Sequence, residues 1–207
     1  TIVQERFKIT IPTLLESIIY IFIFSAEILG EINNFYGNIP HWDTILHTIN
    51  GFLAAGIGFS LINLLNKKSK KISLSPFFVA IVAFCFSMTI GVLWEFFEFG
   101  VDTILKYDMQ KDKIISTVST VTLDLEKDNN PVIIKDIDHT ILYDSEGNHI
   151  AVIENGYLDI GLIDTMEDLL VNFIGATSFS CLGYLYIKNR DKYKFATNFI
   201  PVSNKEN

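Results

Sequence analysis

With two cysteines in 207 residues, the chain has neither a disulfide framework nor a cysteine pair spaced for zinc. Cys85 and Cys181 both fall inside apolar runs, where the expectation is small buried side chains. Basic residues are also short: 16 Lys and Arg stand against 24 Asp and Glu, a formal charge of −8. That balance argues against nucleic acid as a partner. No Gly-rich phosphate loop, no His-Glu-x-x-His and no Ser or Cys placed beside a His occurs. Catalysis by a side-chain nucleophile therefore has no candidate. Tandem repeats and low-complexity segments are missing as well.

Charge is missing most conspicuously from three stretches. Residues 18–26 and 169–187 carry none, and residues 77–97 carry only Glu95. A run of about 20 apolar residues is long enough to cross a bilayer as a helix. Pro12 suits the start of a first helix over residues 13–35, with Glu27 and Glu31 continuing its period against a signal-peptide reading. A turn over 33–40 leads to a second helix, 41–65. Pro76 opens a third that reaches about 105, and a fourth covers about 164–187. The second span contains Gly51, Ala54, Ala55 and Gly58, small residues that let helices approach closely in lipid.

Between the third and fourth spans the composition changes. Residues 114–125, 131–143 and 149–153 are rich in Val, Ile and Thr with strand-like alternation, and 144–148 reads as a hairpin loop. The fold class expected is an all-α transmembrane bundle of four spans with a small extracytoplasmic β-rich insertion. The divisions are 1–107 for spans one to three, 108–157 for the insertion, 158–190 for span four and 191–207 for a polar, fraying cytoplasmic tail.

Basic residues cluster at the span ends on one side, with Lys106 and Lys111 the nearest on the other, beyond the end of span three. Arg6 and Lys8 precede span one; Lys67, Lys68, Lys70 and Lys71 follow span two; Lys188, Arg190, Lys192 and Lys194 follow span four. The positive-inside rule then puts both termini in the cytoplasm of a multi-pass cell-membrane protein.

This topology brings the polar positions of all four spans to one level near the outer leaflet. Span one offers Glu27 and Glu31. Span two offers His41, Asp43 and His47; span three Glu95, Glu98 and Asp102; span four Asp164, Asp168 and Asn172. Their spacings of three, four and seven keep each set on one helix face. Ionisable groups inside a span are costly and are usually functional. No Lys or Arg lies within the spans at that level to neutralise eight carboxylates. A divalent metal or protonation must relieve the repulsion. Asp43, His47, Glu27, Asp164 and Asp168 are the candidate metal ligands, and Glu95 and Glu98 the candidate general bases. Glu31, His41, Asp102 and Asn172 form the expected rim, with Asn172 alternatively a helix–helix hydrogen bond. His with carboxylates suits Zn, Mn or Fe, and carboxylates alone suit Mg, Mn or Ca, so the metal's identity stays open.

The stretches His41-Trp-Asp-Thr-Ile-Leu-His47, Gly91-Val-Leu-Trp-Glu-Phe-Phe-Glu98 with Asp102, and Asp164-Thr-Met-Glu-Asp168 through Asn172 to Gly175 carry a resemblance. Together they resemble the YjdF-like family of uncharacterised bacterial multi-pass membrane proteins. The last helix is also similar, more distantly, to the Asp-x-x-x-Asn-x-x-Gly pattern of VanZ-like proteins. The resemblance implies a bacterial inner-membrane protein and no particular activity. Longer members carry additional spans ahead of the segment that opens here, and the resemblance leaves such spans open for this chain.

Three functions fit these residues. The first is a divalent-metal-dependent hydrolase or transferase acting on a lipid or envelope substrate. The second is a cation- or proton-coupled transporter. The third is a membrane binding or assembly protein without catalysis. The polar faces fade toward the cytoplasmic half, which fits a one-sided cup better than a conduction path. The lipid bilayer is the one expected partner, and the oligomeric state is not legible.

Overall fold

Four helices are long and apolar enough to cross a membrane: Thr13–Ile32, Trp42–Asn66, Pro76–Leu105 and Leu162–Lys188. The computed structural model describes residues 9–68 and 73–203. Arg6, Lys8, Lys70 and Lys71, four of the basic residues that set the expected topology, lie outside the described residues. The architecture is an all-α bundle with a small β-rich insertion between its third and fourth spans.

In chain order the elements are β1 (Ile9–Thr10), α1 (Thr13–Ile23), a π-helical segment (Phe24–Ile32), the single turn α2 (Phe35–Asn38), α3 (Trp42–Lys68) and α4 (Pro76–Leu105). The strands β2 (Ile114–Ile115), β3 (Val118–Thr120), β4 (Val132–Ile134), β5 (His139–Tyr143), β6 (His149–Glu154) and β7 (Tyr157–Leu158) follow. Then come α5 (Leu162–Lys188), a 3₁₀ segment (Lys194–Phe199) and β8 (Val202–Ser203). The chain forms two compact units, Thr1–Phe96 with Glu167–Asn207, and Phe97–Met166.

In the first unit the usual pattern of a soluble protein is reversed. On α4, Glu95 is 4% exposed while its neighbour Phe96 is 68% exposed. A helix that buries a carboxylate and displays phenylalanine is built for hydrocarbon outside and a polar interior. The apolar core lies further along the bundle, where Ala55, Phe59, Val79, Ala83, Ala176 and Phe179 are buried together. Phe179 meets Phe52 edge to face at 5.0 Å and Phe59 at 5.9 Å.

Small residues set the spacing of the helices. A Cβ on Gly51 of α3 would stand 2.2 Å from the Asn172 carbonyl oxygen of α5. One on Gly175 of α5 would stand 2.1 Å from the Thr48 carbonyl oxygen of α3. The two backbones therefore touch at this crossing. The third helix joins there too, since the buried Ser87 Oγ–H donates to the Gly51 carbonyl at 2.8 Å.

Two expectations for this unit change. The tail does not fray up to Ser203: β8 pairs antiparallel with β1, and Ala196 and Ile200 enter the apolar core. The apolar residues hidden among polar ones at 193–200 supply the energy that composition alone understates. Cys85 and Cys181 are free and exposed rather than buried. Both sit on the outward faces of α4 and α5, where hydrocarbon is the surrounding medium.

The second unit contains three antiparallel strand pairs: β2 with β7, β3 with β4, and β5 with β6. The hairpin over 144–148 is as expected. Asp144 accepts the backbone N–H groups of Glu146 at 2.9 Å and Asn148 at 2.8 Å, and Gly147 takes φ +87°. The expected long strands are shorter. Residues 131–143 break at Asp136, whose φ of +54° no strand accommodates. The second strand candidate thus becomes β4 and β5.

Candidate metal centre

Helix direction explains how distant residues meet. Asp43 and His47 sit in the first turns of α3, and Asp168 lies early in α5. Glu95 lies late in α4. Running α4 against the other two brings all four to one level. The close crossing of α3 and α5 is one turn away: Gly51 follows His47 by four residues, as Asn172 follows Asp168. The absent side chain at Gly51 is thus what lets His47 and Asp168 approach.

His47 is the centre of the cluster. Its Nε2 is 3.5 Å from Asp43 Oδ1 and 3.8 Å from Asp168 Oδ2. Its Nδ1 faces Glu95 Oε1 at 3.9 Å. His47, Glu95 and Asp168 are all buried, and Asp43 is partly so. Donors held at about 2.1 Å around a tetrahedral ion stand about 3.4 Å apart. The separations between His47 Nε2 and the two aspartates are close to that value. Asp43, His47 and Asp168 each offer a ligand atom, all within 4.8 Å of one another, and can hold a divalent metal ion.

The two sides of the imidazole differ in surroundings. Nε2 looks toward two aspartates and Nδ1 toward Glu95. Glu98 is buried one turn further along α4, and its carboxylate comes within 4.8 Å of that of Glu95. Three carboxylates gathered around one imidazole favour a bound cation.

Asn172 is fully buried, not at a rim. Its Nδ2–H points to the Ser87 carbonyl at 3.5 Å and to Met88 Sδ at 3.6 Å, which makes it the inter-helix contact also expected of it.

The remaining expected members are not buried in this cluster. Glu27 and Glu31 are exposed. The cause is the π-helical segment, in which bonds reach five residues back, as Asn33 N–H to the Ile28 carbonyl does at 3.0 Å. The wider turn rotates these positions off the face that an α-helical period assigns them. His41 is exposed with φ +61° ahead of α3. Asp102 accepts the backbone N–H groups of Met109 at 2.6 Å and Gln110 at 2.8 Å, tying the end of α4 to the next segment. Asp164 accepts the Lys111 N–H at 2.9 Å, and Lys113 Nζ stands 4.0 Å from its Oδ1. The expectation that no base approaches these carboxylates therefore fails for Asp164. The lysine comes from the insertion, near in space and 51 residues away in sequence.

Of the residues expected to approach one another, the structure brings Asp43, His47, Glu95 and Asp168 together. Trp42, directly before Asp43, has a buried indole Nε1–H that meets no hydrogen-bond acceptor among the described residues.

A bundle of membrane-length helices with a buried His/Asp/Glu cluster defines a multi-pass membrane protein with a possible metal site. The chain belongs to the family described as "Predicted membrane protein (DUF2238)", which matches residues 1–189. An uncharacterised protein of Thermotoga maritima is 38% identical over 90 residues, 43% of this chain and 45% of that relative. The match thus spans less than half the relative's length. No solved structure matches. The expected resemblance holds at the level of an uncharacterised multi-pass membrane family; the match does not narrow it to YjdF-like or VanZ-like proteins.

Proposed function

We propose that the bundle carries one divalent metal ion on His47, Asp43 and Asp168, and that the site serves hydrolysis or group transfer on a lipid or other envelope substrate. The observation that supports it is the two-sided environment of His47, with aspartates at Nε2 and Glu95 behind Nδ1. A bound metal supplies Lewis acidity and an activated water at neutral pH. Glu95 orients the imidazole, and Glu98 is the buried carboxylate on the same helix left to act as general base. Asp164, bonded to Lys111 and near Lys113, takes a structural role at the start of α5.

The transporter reading has less support. Beyond the cluster, Ala55, Phe59, Ala83, Ala176 and Phe179 make the interior mainly apolar, with only the uncharged Ser60, Asn63, Ser87, Asn172 and Ser180 as buried polar side chains among the described residues. An ion path needs polar groups along its length.

The proposal sets the cluster near the outer leaflet of the bacterial inner membrane, with both termini cytoplasmic. Thiol labelling of intact cells, with Cys85 and Cys181 replaced, tests the orientation. A cysteine at Asn129 should react from outside and one at Lys192 should not; the reverse pattern moves the cluster to the inner leaflet. Metal analysis of the full chain, purified in lipid discs without chelator, tests the centre. One divalent ion per chain is expected in the wild type and none after His47→Ala. A wild type without bound metal, even after incubation with Zn and Mn, ends the metal reading.

A further inference from the structure

Beside the cluster the first unit has a cleft of about 540 Å³ between α1, α3 and α5. Phe22, Ser25, Trp42, Ile49, Phe52 and Ser178 are among its walls. The volume is that of a small-molecule site. Two of its hydroxyls are turned away from it chemically: Thr48 Oγ1 donates to the Thr44 carbonyl at 2.7 Å, and Ser178 Oγ to the Ile174 carbonyl at 2.8 Å. The walls are therefore apolar in effect. Ile21 and Ile45 line it while remaining 64% and 51% exposed, so it opens to the surrounding medium. Between membrane-length helices that medium is hydrocarbon.

One end of this cleft is not apolar. Trp42 precedes Asp43, and its buried indole N–H meets no acceptor among the described residues. From Trp42 to Phe52 the cleft follows α3 for about 15 Å, ten residues at about 1.5 Å each. That is about half the roughly 30 Å hydrocarbon core, the depth of one leaflet. An occupant of this shape is a single hydrocarbon chain with a polar group at its upper end.

We infer that the cleft holds one acyl chain of a membrane lipid, with the lipid's oxygen-bearing head accepting from Trp42 Nε1 at the level of Asp43 and His47. This inference rests on the metal reading for its consequence: it makes a lipid head the substrate class of that centre. The cleft itself does not depend on the metal. Leu46 and His47 are adjacent on α3, one lining the cleft and the other in the cluster, so chain and head are presented to neighbouring faces of one helix.

The test uses the full chain in phosphatidylethanolamine/phosphatidylglycerol discs containing a trace of phosphatidylglycerol with a diazirine in its acyl chain. After photolysis, peptides covering 18–25 and 42–52 should be labelled about fivefold more than the peptide holding the lipid-exposed Phe96 and Phe97, a difference of about 1 kcal/mol in occupancy. Unlabelled phosphatidylglycerol should compete away the cleft label and leave the Phe96 label proportional to dilution alone. Ser178→Phe should bring the cleft label down to the Phe96 level. Ser178 is exposed, so the new ring enters the cleft without entering the core. Ser25→Leu is the second filling variant should the first not fold.

Even labelling of all outward faces, or labelling unchanged by filling, overturns the inference. So does cross-linking of these peptides to a second copy of the chain in place of lipid. Metal content measured on the same wild-type sample separates the two claims. Metal present with even labelling sinks the lipid cleft alone. Concentrated labelling without metal supports the cleft and sinks the metal centre alone.

Discussion

The two ends of the helical bundle are packed by different rules. Around Phe59 and Phe179 the interior is filled by shape: alanines lie at the contacts and aromatic rings meet edge to face. About 18 Å away along α3, twelve residues at about 1.5 Å each, the interior is filled by His47 and three carboxylates. The apolar end is held mainly by its alanine and phenylalanine side chains, with Ser60, Asn63 and Ser180 the buried polar groups among them. The polar end gathers three carboxylates around one imidazole, at 3.5, 3.8 and 3.9 Å from its ring nitrogens. In lipid, where burial of apolar groups gives no drive for helices to associate, shape holds one end together. At the other end the helices enclose His47, Glu95 and Asp168, groups that could hold a metal ion. Apolar packing and the ionisable cluster thus occupy separate layers of the same helices.

The largest expected effect breaks the polar layer alone. At a metal concentration about 100 times its Kd, the wild type should gain about 2.7 kcal/mol of stability. Asp168→Asn should gain nothing. With chelator the sign reverses: the variant has one fewer buried charge and should unfold no earlier than the wild type. Thermal unfolding in detergent with and without metal measures both. A variant weakened equally in both conditions would make Asp168 a structural ion-pair partner of His47 and would erase the contrast between the layers.

Gly51→Val attacks the place where the layers join. Its side chain cannot coexist with the Asn172 carbonyl at the present helix spacing. A loss of about 2–3 kcal/mol is expected, at the upper end for overpacking. Metal affinity should fall with it, because His47 and Asp168 separate together. Metal binding unchanged in a destabilised variant would show that the crossing does not position the site.

Phe59→Ala sharpens the contrast from the other side. A buried Phe→Ala change costs about 3–5 kcal/mol in a water-soluble core, but in lipid only the cavity share remains, on the order of 2 kcal/mol. Metal affinity should not move, since Phe59 lies three turns from His47. A tenfold weaker site would mean that the layers are coupled.

These residues also show what was legible in the sequence. The spans could be read because hydrocarbon selects against charge over a whole helix. Asp43, His47, Glu95 and Asp168 could be read because each is a polar group on an otherwise apolar, regularly α-helical face. Glu27 was misread because nothing in its local composition announces a π-helical segment, and the wider turn moves the face. Asp164 was misread because its partners come from the insertion. Sequence distance hid Lys113, although its charge was in view. The small residues of α3 announced close packing, but not that Gly51 and Gly175 would be paired with each other's helix beside the cluster. Exposure of the two cysteines follows from helix rotation, which composition does not specify.

The smallest effect belongs to the insertion, whose polar groups behave unlike those of the bundle. Asp159, just after β7, is pushed up by what burial it has. The backbone N–H groups of Lys113 at 2.7 Å, Ile163 at 2.7 Å and Gly161 at 3.3 Å outweigh this and hold its carboxyl below the ordinary value of 3.8. Asp112 goes the other way, raised by burial and then by Asp108, Asp159 and Asp102. The signs follow by linkage. The stability given by Asp159 is present above 3.8 and is lost only as pH falls through its lower folded value. The strain at Asp112 is relieved as pH falls through its raised value. Amide exchange at Ile115 and Tyr157, corrected for intrinsic rate, should therefore slow slightly or stay level on acidification to about pH 4. It should quicken only below that, by about twofold, the scale of exposed electrostatic contacts. Asp112→Asn should remove the first phase and Asp159→Asn the second. Protection that fell steadily from neutral pH would mean that a group other than these two governs the β2–β7 pair.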